Sequence, residues 1–346
     1  MRVAFVTVGD TNRLTGGYLY NARVIAALRG MGVEVEEINP CGASPEEQEA
    51  CDIEPLLDPR HFDVIVVDAL ARIVCAPILD RWHEKRPIVA MVHELPSVAQ
   101  EGDAVSRERE APLLRSDRLI SVSPHGASIL EGRGVPATRI RVVPPGSDRL
   151  PKSETDRALR GDGVRALCVA QWIPRKGILD LVRAWTLRER PGAALELVGE
   201  SDADPGYAAS VRAAIASSPE ATISVHGPVN DAALGAAYAA TDLFVLPSRY
   251  EGYGVVYAEA LAHALPIIAC ETGPVPELVG EGAALLVPPG DVEALSEALS
   301  LLVNDAGLRD RMSAAARRRA LALPRWEDTA ASFLRVLREL VAKRSP

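Results

Sequence analysis

Short β-branched runs alternate with helical patterns along this chain, and the alternation is run through twice. In the first half the strand-like runs are Val3–Val8, Val33–Ile38, Asp63–Val67, Ile88–His93, Arg118–Val122 and Arg139–Val143. In the second half they are Ala166–Ala170, Leu195–Val198, Thr222–Val225, Leu243–Leu246, Pro266–Ala269 and Ala284–Val287. Between the first two runs, Tyr20, Val24, Leu28 and Met31 fall at helical spacing within Gly17–Met31. This pattern predicts βαβ units, and so an α/β fold with parallel sheets covered by helices on both faces. The rhythm breaks at residues 144–163, PPGSDRLPKSETDRALRGDG, where proline, glycine and charge predict a linker. The expected organisation is a domain over 1–147, a linker over 148–163 and a second domain over 164–325, both Rossmann-like and doubly wound, facing a central cleft. Pro324 and Trp326 interrupt the helical C-terminal part, so a last helix over about 326–346 is expected to pack back on the first domain. Open sheets of this kind bind ligands outside the carboxyl ends of their strands.

A chain of 346 residues suits two such domains. Its formal net charge of −9 argues against a nucleic-acid binder, which needs a basic face. The five cysteines are scattered and form no C-x-x-C pair, so neither a zinc site nor a disulfide framework is indicated. A reduced, cytoplasmic compartment is expected. No stretch approaches the ~18 apolar residues of a membrane span, and the N-terminal apolar run is too short for a signal peptide.

The chemistry concentrates in DLFVLPSRYEGYGVVYAEAL, read as a buried strand, a loop and a helix. Gly252, Tyr253 and Gly254 form a loop whose glycines let the backbone turn tightly and approach a ligand. A helix starting near Gly254 would aim the free N–H groups of Val255 and Val256 at an anion. Glu251 precedes it and Glu259 lies a turn inside it. Two carboxylates can accept hydrogen bonds from vicinal hydroxyls of a ribose or sugar ring. Glutamate near a helix N-terminus is also common for purely structural reasons. In WIPRKG, Arg175 and Lys176 follow a strand and precede a helix; cations are disfavoured at that end, which favours a ligand such as phosphate over a solvated pair. Gly16 and Gly17 open the first long helix, where a plain turn is the simpler reading. His93 ends the run PIVAMVH at the edge where ligands sit, with Glu94 beside it. His226 and His263 read as structural, and Arg107, Arg109 and Arg115 as a solvated face.

The central segment resembles the E-x7-E motif of the family 4 retaining glycosyltransferases, which have the GT-B fold; here Gly252 to Ala258 separate the two glutamates. The resemblance extends to GGYLYNARVIAALRGMGVEV, VHELPS, LISVSP, VVPPGSD, WIPRKGILDLV, LELVGESD, ISVHGPV and TGPVPELV followed by ALLVPPGD. It implies that Glu259 binds ribose hydroxyls and Glu251 the donor sugar. Val255 and Val256 would hold the diphosphate, and Gly227, Pro228 and Val229 would lie against the base. Gly16 and Gly17 would cover the donor, while His93 and Glu94 would meet donor sugar or acceptor. The family usually carries an arginine about five residues before the lysine; here that place is Gln171, which donates hydrogen bonds but brings no charge.

The implied reaction moves a sugar from a nucleoside diphosphate donor, a UDP-sugar ahead of a GDP-sugar, to an acceptor hydroxyl with retention. No cofactor is implied, and without an Asp-x-Asp motif no metal. Acceptors can be lipids, so a peripheral membrane contact stays open. A sugar-nucleotide epimerase, a phosphorylase or a weak sugar-nucleotide-binding protein are the alternatives; a nicotinamide dehydrogenase lacks its glycine fingerprint. Acceptor, donor base and oligomeric state are not encoded legibly.

Overall fold

The computed structural model describes residues 1–13, 15–99, 104–151 and 163–344. The chain divides into two compact units, Met1–Gly146 with Pro324–Pro346 and Ser147–Leu323. Most of the expected linker, 152–162, lies outside the described residues, as do residues 14 and 100–103 and residues 345–346 of the expected last helix.

The first unit is built on a six-stranded sheet in the order β2-β1-β3-β4-β5-β6. Its strands are β1 (Arg2–Val6), β2 (Glu34–Ile38), β3 (Val64–Asp68), β4 (Ile88–Val92), β5 (Arg118–Ser121) and β6 (Ile140–Val142). All five pairings are parallel. The central strands VIVVD and IVAMV are buried at every residue, as continuous apolar runs covered on both faces must be. The second unit repeats the plan in the order β12-β11-β10-β7-β8-β9. Its strands are β7 (Val164–Val169), β8 (Ala193–Val198), β9 (Ile223–His226), β10 (Leu243–Leu246), β11 (Ile267–Cys270) and β12 (Ala284–Val287), again all parallel. Each strand run expected from the sequence forms, with ends displaced by at most two residues. Such ends depend on how far the ladder of the neighbouring strand extends.

The strand orders fix where chemistry can sit. In the second unit the chain leaves β7 toward β8 and β9, then returns to place β10 on the other side of β7. The loops after β7 and β10 therefore diverge at a topological switch point, where open α/β sheets bind ligands. In the first unit the same point lies between β1 and β3.

The last helix, Trp326–Arg344, is grouped with the first unit and packs on its first helix, Gly16–Gly30. Trp326 meets Tyr20 edge-to-face at 5.9 Å between ring centroids. Thr329 Oγ1 donates to the Pro144 carbonyl at 2.8 Å. Gly146 is required here, because a Cβ would fall 2.3 Å from the Trp326 nitrogen. Among the described residues no helix is long and apolar enough to cross a membrane.

Candidate functional site

At the switch point of the second unit, the loop after β7 and the loop after β10 are locked together. Arg249 N donates to the Arg175 carbonyl at 2.7 Å. Gly177 takes φ 69°, and a Cβ there would fall 2.3 Å from the Pro247 carbonyl oxygen, so only glycine allows the two backbones this close. The contact puts Lys176 over Glu251: Nζ lies 2.6 Å from Oε1. The same oxygen accepts from Ser248 Oγ at 2.7 Å. Arg175 Nη1 donates to the Tyr250 carbonyl at 3.2 Å and stands 4.0 Å from Glu251 Oε2. Burial by itself would raise the Glu251 carboxyl. Lys176 and Arg175, with hydrogen bonds from Lys176 and Ser248, outweigh it and hold Glu251 below the usual carboxylate range.

The helix after this loop is Val255–Ala262, capped by Gly254 at φ 96°. A Cβ on Gly254 would fall 2.5 Å from the Tyr257 ring. Tyr257 is fixed in turn by donation from its hydroxyl to the Leu246 carbonyl at 2.7 Å. Val255 and Val256 open the helix, where N–H groups have no intrahelical acceptor. Gly252 and Tyr253 lie in the loop before it, Tyr253 buried.

Glu259 is buried on this helix, and its carboxylate is already engaged. Arg149 approaches Oε1 with Nε at 2.9 Å and Nη2 at 2.6 Å, and Tyr238 OH donates to Oε2 at 3.2 Å. Arg149 also bonds Asp231 at 2.8 Å. Burial raises the Glu259 carboxyl, and Arg149 and Tyr238 only partly offset it. Asp231 opens the helix Asp231–Ala239 just after Gly227, Pro228 and Val229, so Arg149 ties that exposed turn to Glu259. His263 stacks on Tyr238 at 5.1 Å and bonds the Glu259 carbonyl through Nδ1, a supporting role.

Three features depart from what the sequence suggested. The Gln171 amide donates to Glu200, which follows β8, a partner the sequence did not suggest. Arg149, expected in the linker, is buried in the second unit with its charge shared between two carboxylates. Ser248, which the sequence did not single out as a site residue, donates to Glu251. No sequence spacing announces Arg149, since Glu259 lies 110 residues away.

In the first unit, His93 follows β4 and its Nε2 lies 2.9 Å from Asn21 Oδ1. The edge of the ring faces Gly17, where a Cβ would stand 3.3 Å from His93 Cδ2. Gly16 and Gly17 begin the first helix, and Glu94 sits half-buried beside His93. Burial pushes the His93 pKa down against the pull of Asp68 and Glu94, which favours the neutral ring. Asn21 and Asp68 were not anticipated. A polar residue on the buried face of a helix, and an aspartate ending an apolar strand, are the signals that could have found them. Arg109 and Arg115 pair with Glu49 and Asp80 on exposed surface, as a solvated face does. Among the described residues no three His, Cys, Asp or Glu side chains converge as a metal site.

Two family profiles match the chain: "Glycosyltransferase Family 4" over residues 49–149 and "Glycosyl transferases group 1" over residues 152–319. A D-inositol 3-phosphate glycosyltransferase of Kineococcus radiotolerans is 30% identical over 325 residues, covering 83% of this chain and 73% of the relative. Among solved structures, sucrose-phosphate synthase from Thermosynechococcus elongatus superposes with a TM-score of 0.85 at 23% identity, covering 99% of this chain and 100% of that one. Anabaena HepE, crystallised with UDP and glucose, gives 0.81 at 18% identity, covering 98% and 100%. With two six-stranded parallel sheets of the GT-B kind and these similarities, the chain belongs to glycosyltransferase family 4 and is a glycosyltransferase.

Proposed function

We propose that the second unit binds a nucleoside diphosphate sugar and that transfer from it proceeds with retention and without a metal ion. The observation that carries this reading is the Lys176–Glu251 pair beside the N-terminus of helix Val255–Ala262 at the β7/β10 switch point. A diphosphate suits the N–H groups of Val255 and Val256 together with Lys176 and Arg175. Glu259, braced by Arg149, receives the ribose hydroxyls; Glu251 orients the donor sugar and holds Lys176 in place. Gly227, Pro228 and Val229 lie toward the base. In the first unit His93, Glu94, Gly16 and Gly17 handle sugar or acceptor hydroxyls.

In the reaction the acceptor oxygen bonds to the anomeric carbon on the face from which the phosphate oxygen leaves. The departing oxygen takes the acceptor proton, giving glycosylated acceptor and nucleoside diphosphate. No protein base is consumed, and the charge growing on the leaving group is met by Lys176 and Arg175. Arg175 supplies the second cation that Gln171 does not. A UDP-sugar is the favoured donor: a protein of the same fold, HepE, is described in complex with UDP and glucose. A GDP-sugar is second.

The deciding experiment is a thermal-shift screen of nucleoside diphosphates, since a ligand at 100 times its Kd stabilises the fold by about 2.7 kcal/mol. The anomeric configuration of the product is then read by NMR. Stabilisation by none of the diphosphates refutes the donor assignment, and an inverted product refutes retention.

A further inference from the structure

Asp68 ends β3 fully buried and accepts from three donors. Thr7 Oγ1 lies 3.1 Å from Oδ2, Asn21 Nδ2 lies 2.5 Å from Oδ2, and Leu70 N lies 3.0 Å from Oδ1. A carboxylate cannot donate, so Asn21 must turn its NH2 toward Asp68. Its carbonyl oxygen is then the atom facing His93 Nε2 at 2.9 Å. A carbonyl accepts only, so Nε2 must carry the proton. The neutral ring is left with its lone pair on Nδ1, for which no partner appears among the described residues.

The other sides of the ring are held as well. Tyr20 meets it edge-on at 5.2 Å, and Gly17 closes on Cδ2. Tyr20 is anchored by donation to the Val143 carbonyl at 3.0 Å. Thr7 follows β1 and Asp68 ends β3, so the chain of bonds starts at the switch point of this sheet.

We propose that Asn21 is a positioning residue that sets the tautomer of His93, presenting Nδ1 as a hydrogen-bond acceptor for a sugar or acceptor hydroxyl. The role of that hydroxyl rests on the reading of His93 given above; the tautomer does not. An acceptor at Nδ1 selects a group that donates, as a hydroxyl does, and gives an ether or carbonyl oxygen no bond.

The test is made on the full chain labelled with 15N-histidine. Long-range 1H–15N correlations distinguish Nε2–H from Nδ1–H, and His93→Gln identifies the His93 signals among the six histidines. The wild type should show Nε2–H, and Asn21→Ala should shift the ring toward a mixture or Nδ1–H. Asn21→Ala should also slow hydrolysis of UDP-glucose or GDP-mannose, used as probes, about tenfold, the value of one hydrogen bond. Wild-type Nδ1–H, or Nε2–H persisting unchanged in Asn21→Ala, overturns the positioning role. A changed tautomer with unchanged hydrolysis upholds the control by Asn21 and overturns the placement of His93 at the sugar. The wild-type spectrum needs no variant, so the proposal can fail even if Asn21→Ala does not fold.

Discussion

Lys176 Nζ and Glu251 Oε1 lie 2.6 Å apart, although the two residues come from loops 75 positions apart in sequence. The pair is shielded, Lys176 being 14% exposed at the side chain and Glu251 6%. Lys176 therefore helps hold Glu251 ionised, and a change at either is felt in stability as well as in turnover.

Replacing Lys176 by alanine should lower turnover roughly 10²–10³-fold, the usual effect of losing one electrostatic contact to a developing charge. It should also destabilise the fold by roughly 3 kcal/mol, because buried Glu251 loses its direct ion pair and is left with the Ser248 hydroxyl and the more distant Arg175. Turnover measured at saturating donor separates the two effects. Unchanged turnover there would remove Lys176 from the phosphate role.

The lowered Glu251 pKa gives a pH signature. Its ionised form contributes stability above the unfolded value of about 4.3, and the contribution is lost as pH falls through the lower native value. Glu251→Gln should therefore melt below the wild type at neutral pH, and the gap should narrow as pH falls below the unfolded carboxyl's range. A gap that does not vary with pH would contradict the paired, ionised state.

Arg149 and Glu259 should behave as a unit in nucleotide binding. Calorimetry with UDP and GDP should show weaker binding for Glu259→Ala and for Arg149→Ala. The double variant should lose less than the sum of the two, as expected for residues in direct contact. Additive losses would mean that Arg149 does not act through Glu259, and unchanged affinity in Glu259→Ala would end the ribose assignment.

Gly254→Ala should cost about 1–3 kcal/mol of stability, from the left-handed φ of 96° and the clash with Tyr257. If the helix start binds phosphate, nucleotide affinity falls as well. A melting temperature equal to the wild type's would show that the loop relaxes without strain.

Chelation offers a last check. EDTA should leave transfer intact if Lys176 and Arg175 carry the leaving-group charge. Loss of activity restored by magnesium would sink the metal-free mechanism.

The alternation of β-branched runs and helical spacing made both sheets legible, because strand and helix periods are local properties of the chain. The runs Leu243–Leu246 and Ala284–Val287 form as strands with those very ends, and Gly254 caps the helix that its position suggested. The two glutamates were equally visible as a spaced pair. Their partners were not. Arg149 read as part of a proline- and glycine-rich linker, and nothing in the spacing of Gln171 showed that its amide donates to Glu200.

By itself, then, the sequence determined two α/β units and the residue types available at their strand ends. Tertiary structure decided which of those residues meet. Strand order puts β7 beside β10, and so Lys176 on Glu251; it puts β1 beside β3, and so Thr7 and Asn21 on Asp68. A hydrogen bond between residues 47 or 110 positions apart leaves no periodicity to read, because it arises from how the chain crosses its own sheet.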